Sequence, residues 1–151
     1  MLKKITLATC ALVVAGSALA LEPEKAIKYR QAGYSYMGWN MGKIKANVEG
    51  ANYNQAEVIA AANTIAAIAN SGMGALYVPG SEKDVGKVKT YVKPEFFSKP
   101  QEVAKVAQAF NKEANELARV AATGSAAEVK AQFDKVGGTC KACHDDFKMK
   151  N

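Results

Sequence analysis

The chain has 151 residues, 49% of them hydrophobic and 23% charged, with a formal net charge of +6. That is one domain's length, enough for one hydrophobic core. The lysines are scattered among acids, with no arginine-rich run and no interleaved aromatics, which argues against nucleic acid as a partner. A solvated lysine surface is the plain reading, and docking to an acidic partner is the functional one.

The first twenty residues read as a secretory leader. Lys3 and Lys4 form a basic start, Ile5 to Ala15 an apolar run too short to span a bilayer, and Ala18-Leu19-Ala20 a cleavage site. Residues 1–20 are therefore expected to be a signal peptide, cleaved after Ala20, and 21–151 the exported domain. Cys10 leaves with the leader, and the net charge falls to +4 because the leader holds two lysines and no acid. A lipoprotein reading of Leu7-Ala8-Thr9-Cys10 leaves almost no apolar run ahead of the cysteine. No later run is long enough to cross a membrane. The bacterial style of the leader places the domain in the periplasm.

Four helices are expected. The first opens at Glu22-Pro23-Glu24, where a proline and acids suit a helix start. It presents Ile27, Arg30, Tyr34, Met37, Met41, Ile44 and Val48 at alternating steps of three and four, a heptad seam that ends at Gly50. Gly33, Gly38 and Gly42 inside it imply close approach to a helix, a flat ring or a second subunit. The second begins at Asn54 with Glu57 at the capping-box position and runs through Val58, Ile59, Ala62, Ile65, Ala69 and Met73. Residues 76–98 lose helical period. Val78-Pro79-Gly80-Ser81 is turn chemistry, and 87–93 alternates like a short extended piece. So long a loop is often functional, and here it can wrap a cofactor edge or serve as a plain crossover. Ser98 is expected to cap the third helix, with Pro100 in its first turn and Gln101 at the box position. Its seam is Val103, Val106 or Ala107, Phe110, Ala114, Leu117 and Ala121, and it stops at Thr123-Gly124. Ser125 and Glu128 form another box. The last helix carries Val129, Phe133, Val136, Cys140, Cys143 and Phe147 on one face, with Gly137 and Gly138 just before Cys140.

That last helix contains Cys140-Lys141-Ala142-Cys143-His144, the attachment signature of c-type haem. Two thiols one helical turn apart can add to the two vinyl groups on one porphyrin edge, and the histidine that follows can ligate iron. A zinc site would need carboxylates such as Asp145 or Asp146 to complete four ligands. A thioredoxin-like redox pair would need a βαβ setting. The sequence therefore predicts an all-α, antiparallel four-helix bundle with haem c covalently bound through Cys140 and Cys143 and ligated by His144.

The second axial position decides what such a haem does. His144 is the sole histidine, so a bis-histidine haem within one chain is excluded. Methionine, lysine or nothing remains, with Met37, Met41, Met73 and Met149 available after cleavage. Each of these methionines also suits a core position.

The leader, Arg30-Gln31-Ala32-Gly33-Tyr34, the run from Met37 to Asn47, Lys45-Ala46-Asn47-Val48-Glu49-Gly50 and the C-terminal Cys-Lys-Ala-Cys-His resemble the cytochrome c′ family, in the form found in purple sulfur phototrophs. The resemblance covers the whole of 21–151. It implies a left-handed antiparallel four-helix bundle, usually a homodimer. In low-spin relatives a ligating methionine follows the Arg-Gln pair, three residues after the glutamine. Tyr34 stands there instead, which fits the five-coordinate, high-spin subclass. Arg30 is then expected to pair with a haem propionate, with Gln31 adding a hydrogen bond and Thr90 a third polar contact from the long loop. The function implied is a high-spin periplasmic cytochrome, not an enzyme, that binds nitric oxide and carbon monoxide at an open site, with electron transfer to an unidentified redox partner as its other role. A low-spin, six-coordinate electron carrier and a non-haem helical binding protein with a redox Cys-x-x-Cys are the alternatives. A homodimer through the first two helices is expected, loosened by ligand entry that displaces Tyr34.

Overall fold

The computed structural model describes residues 21–150. The expected leader, residues 1–20 with Cys10, lies outside the described residues, as does Asn151. The element order is α1 (Pro23–Glu49), α2 (Gln55–Ala69), a 3₁₀ turn at Met73–Leu76, the short α3 (Glu95–Ser98), α4 (Pro100–Thr123) and α5 (Ala126–Phe147). The four long helices form the expected antiparallel bundle. α2 packs on α1 and α4, and α4 on α5, while α1 closes the ring against α5 more sparsely. The short links after α1 and α4 make those neighbours antiparallel. Among the described residues no helix is long and apolar enough to cross a membrane.

The helix ends follow local chemistry. Pro23 opens α1. Gly50 follows its end in extended backbone, where a Cβ would collide with the Ala46 carbonyl. At α2 the Asn54 side chain accepts the Glu57 N–H at 3.1 Å, as the box pattern predicts. Glu57 does not return the bond. Its carboxylate accepts from Asn47 Nδ2 at 2.9 Å, and Asn47 Oδ1 accepts the Asn54 N–H at 2.7 Å. A buried asparagine from α1 therefore closes the box, stitching two helices at their turn. The Ser125–Glu128 box is complete in both directions. The Ser98 cap is corrected: Ser98 ends α3 and bonds back to the Glu95 carbonyl at 3.3 Å. Lys99 stands at the cap of α4 without a side-chain cap bond. A helical turn after Pro94 has already taken up Ser98.

The core is aliphatic and small. Ile27, Ile44, Val58, Ile65, Leu117, Val129 and Val136 are completely buried, with Ala61, Ala62, Ala114 and Ala121 between them. Burying each large aliphatic side chain contributes about 1.5–3 kcal/mol. Alanine at the crossings lets the helix backbones approach. The predicted α1 seam is buried at Ile27, Arg30, Met37 and Ile44, half-buried at Met41 and Val48, and exposed at Tyr34.

The long connection is less regular than the alternation at 87–93 implies. It holds isolated bridges between Val85 and Val88 and between Val92 and Lys148, and no strand among the described residues. The second bridge is flanked by Lys93 N–H to Phe147 O at 2.8 Å and Met149 N–H to Tyr91 O at 2.7 Å. The loop is thus clasped to the C-terminal end of α5, beside the cysteine motif.

Candidate haem site

α5 carries Cys140, Cys143 and His144 within one turn and a half, on a helix fixed at its start by the Ser125 box. Both cysteines are free and half-buried, and Cys140 packs against the aliphatic core. Burial pushes both thiols above the ordinary range. His144 borders an open groove of about 540 Å³, alongside Lys93, Lys148 and Met149. Partial burial, assisted by Lys148, holds its imidazole below its ordinary value, which favours the neutral form that binds metal. A Cβ added at Gly137 or Gly138 would meet nothing within 4 Å. A second groove, about 340 Å³, runs between α4 and α5 past Val106, Ala109, Gly138, Thr139 and Ala142.

Arg30 is buried at 3% exposure, and its partners are all neutral. Nη1 donates to Ser81 Oγ at 2.7 Å and Leu76 O at 3.2 Å; Nη2 donates to Ser81 O at 2.6 Å and Thr90 Oγ1 at 2.7 Å. The guanidinium also lies over the Tyr77 ring, 4.8 Å from its centroid. Burial lowers the Arg30 pKa from its usual value, but arginine stays charged. Thr90 and Arg30, both singled out from sequence, are brought into direct contact. Gln31 Nε2 donates to the Lys89 carbonyl at 2.7 Å, so it too faces the long loop.

Tyr34, one turn after Arg30, is 43% exposed. Tyr77 Oη donates to its hydroxyl at 3.2 Å. Desolvation pushes both phenols upward, and both lie within electrostatic reach of Cys143. Tyr77 stacks on Phe96 with centroids 3.9 Å apart, and Phe96 meets Phe147 of α5 edge to face at 5.7 Å. Tyr77, Ser81 and Phe96 escape sequence reasoning. They lie in an aperiodic loop, where no spacing marks an inward position. The only available signal is the density of aromatic residues at 91–97.

These residues fit haem c. Two half-buried thiols one turn apart match two thioether bonds, and the adjacent imidazole matches an iron ligand. Arg30 is a buried cation whose hydrogen-bond partners among the described residues include no carboxylate, and four of its five N–H groups are used; a carboxylate such as a propionate would balance its charge. The open flank at Gly137 and Gly138 suits a flat ring. The rivals fit less well. Among the described residues no three His, Cys, Asp or Glu side chains converge as a metal site, which leaves zinc without a tetrahedral set. The motif sits in a helix of an all-α bundle, not in the βαβ setting of a thioredoxin-like pair.

Comparison with known proteins agrees with that geometry. The cytochrome c′ family model matches residues 25–148. Cytochrome c′ of Allochromatium vinosum is 61% identical over 142 residues, covering 93% of this chain and 92% of its own. That of Rhodocyclus tenuis is 59% identical over 133 residues, 86% of this chain and 100% of its own. Among solved structures, a cytochrome c′ described as showing an unusual ligand-controlled dimer dissociation superposes with a TM-score of 0.84 at 62% identity, covering 86% of this chain and 98% of that one. The Thermochromatium tepidum protein gives 0.84 at 56% identity, covering 87% and 99%. The nitric oxide complex of a point mutant of the Alcaligenes xylosoxidans protein gives 0.75 at 30% identity, covering 85% and 98%. With the attachment pair on α5, a haem-compatible surround and a match that spans the whole bundle, this chain belongs to the cytochrome c′ family, whose cofactor is haem c.

Proposed function

We propose that this chain is an exported, periplasmic, high-spin cytochrome that binds nitric oxide and carbon monoxide on the side of the haem guarded by Tyr34, and that it acts as a binding protein and not as an enzyme. The observation that carries this reading is the occupancy of the face one turn after Arg30. A tyrosine stands there, tied to Tyr77 and near Cys143. Met37 and Met41 pack in the core and Met73 against Gly33, while Met149 lies on the His144 side, away from Tyr34, in the groove that His144 borders.

Cys140 and Cys143 would hold the group by thioethers, His144 would ligate its iron, and Arg30 would face a propionate. When bound, haem c supplies an iron that exchanges one electron and takes a neutral diatomic ligand. The chain's own residues then set selectivity. Tyr34 fills the approach with a phenol, which is protonated at neutral pH and so a poor ligand; partial burial pushes its pKa further up. Tyr77, Phe96, Phe97 and Phe147 form an aromatic wall beside it. An aromatic approach disfavours anions and admits small neutral gases. The solved relative with bound nitric oxide supports the same reading. Electron transfer to an unidentified redox partner is a compatible second role. The lysines beside His144 offer a docking face for an acidic one.

The absorption spectrum of the ferrous protein, before and after carbon monoxide, tests the proposal. A broad high-spin band that sharpens on addition is expected. A sharp low-spin spectrum indifferent to the gas would sink it and favour the six-coordinate carrier.

A homodimer through α1 and α2 belongs to the same reading. Tyr29, Tyr36 and Trp39 are each more than half exposed on α1. Tyr36 stacks on Trp39 at 5.5 Å, and Lys43 Nζ lies 3.8 Å from the Trp39 ring. A preorganised aromatic stripe of this kind suits a protein interface. Sedimentation with and without carbon monoxide should show a dimer that loosens with ligand; a mass unchanged at low concentration counts against the linkage.

A further inference from the structure

We propose that Tyr77 is a positioning residue for the distal side: it holds Tyr34 at rest and thereby sets how fast a small neutral ligand enters. The inference rests on the open-site reading above. The bond from Tyr77 Oη to Tyr34 Oη, 3.2 Å long, joins two side chains of unequal freedom. The Tyr77 ring is stacked on Phe96 at 3.9 Å and edge-on to Phe97 at 6.1 Å, with the Arg30 guanidinium 4.8 Å from its centroid. Phe96 is fixed in turn against Phe147 of α5 at 5.7 Å. Such contacts immobilise a ring that has only two side-chain torsions. Tyr34 has no ring–ring contact among the described residues. Tyr77 is therefore the post and Tyr34 the movable leaf.

The post is anchored to the fold through the long loop. Arg30, which covers Tyr77, grips Leu76 O, Ser81 and Thr90. The loop is clasped to the end of α5 by the Val92–Lys148 bridge. A ligand that pushes Tyr34 aside breaks its bond to Tyr77 before it meets any other resistance from a hydrogen bond of that phenol. Removing the bond therefore lowers the entry barrier by the net worth of one neutral hydrogen bond, an acceleration of about 3- to 10-fold.

The test is carbon monoxide association to the reduced holoprotein after flash photolysis, in wild type, Tyr77→Phe, Tyr34→Phe and the double variant. Phenylalanine at 77 keeps the ring and its stacking, so only the bond is lost. Tyr77→Phe should speed association about 3- to 10-fold, and should add nothing in the Tyr34→Phe background, because a double-mutant cycle isolates the shared bond. The tyrosine Fermi doublet in the Raman spectrum provides a readout that needs no ligand: Tyr77→Phe should remove the signature of a phenol accepting a hydrogen bond at Tyr34. An unchanged rate in a protein that binds carbon monoxide overturns the role of Tyr77 alone. So does an equal acceleration in the Tyr34→Phe background. A wild type with a sharp low-spin spectrum and no response to the gas overturns the open site, and the role of Tyr77 with it.

Discussion

α4 carries one apolar stripe from Val103 to Ala121, yet its two halves live in different surroundings. Ala114, Leu117 and Ala121 are completely buried among Ile44, Val58, Ile65 and Val129. Val103, Val106 and Phe110 are only half-buried, and Val106 lies across a groove from Gly138 and Ala142. One end of the bundle is filled by aliphatic packing, joined by the hydrogen bonds of buried Asn47 and Gln132. The other is framed by Arg30, Tyr34, Tyr77, Phe96 and the cysteine helix, and its residues meet through hydrogen bonds and ring contacts. The difference separates two tasks within one fold. The aliphatic end supplies stability that depends on nothing else. The polar and aromatic end keeps surface and directional groups in reserve for a cofactor.

The sharpest way to break this comparison is a cavity at the aliphatic end. Leu117→Ala should cost about 2–5 kcal/mol, since it removes a fully buried side chain from a close-packed site. Denaturant unfolding of the holoprotein measures it. A loss below that of any single change at the haem end would show that the two ends share the load.

Arg30→Lys comes next. The fork that bonds Ser81, Leu76 and Thr90 together cannot be reproduced by an ammonium. A loss of about 1–3 kcal/mol is expected, the cost of leaving part of a buried set unsatisfied. It should be local. Native-state hydrogen exchange should quicken across 76–93 and leave the protected amides of α2 unchanged. Faster exchange in α2 would mean that the loop end and the aliphatic end unfold as one unit.

The smallest effect is one of pH. Asp84 accepts from Lys89 Nζ at 2.7 Å and from the Thr90 N–H at 2.9 Å, and these bonds hold its carboxyl below the usual range. A folded pKa below the unfolded one means that its contribution is fully present above about pH 4 and disappears as pH falls through the folded value. The loop around Thr90 should therefore keep its resistance to an acid protease down to about pH 4 and become more open below it. Asp84→Asn should abolish that dependence. An acid-induced opening that survives in the asparagine variant would assign it to another group.

The aliphatic end was readable from spacing. The step of three and four marks Ile27, Met37 and Ile44 as one face, and the Ser125–Glu128 pair marks a helix start without any tertiary knowledge. Local signals fail where a partner comes from elsewhere. Glu57 fits a capping box but bonds to Asn47 across a turn. Ser98 fits a cap but is taken up by the helical turn after Pro94. The haem end is legible in its chemistry and opaque in its support. Cys140, Cys143 and His144 announce themselves by type and order. The partners of Arg30 lie about fifty residues away in a loop without periodicity, and Tyr77 carries no pattern that distinguishes it from the exposed Tyr91.

The clasp between 91–93 and 147–149 also bears on the order of assembly. It joins segments more than fifty residues apart and uses the residues at and just after the end of α5, so it closes only after α4 and α5 have folded back on one another. Contacts of such long span are slow to form, because loop-closure entropy is lost before they contribute anything. Until then the end of α5 is free to fray and its two thiols stay reachable from solvent. The clasp is thus a late-forming contact, and it fixes the end of the helix that carries Cys140 and Cys143.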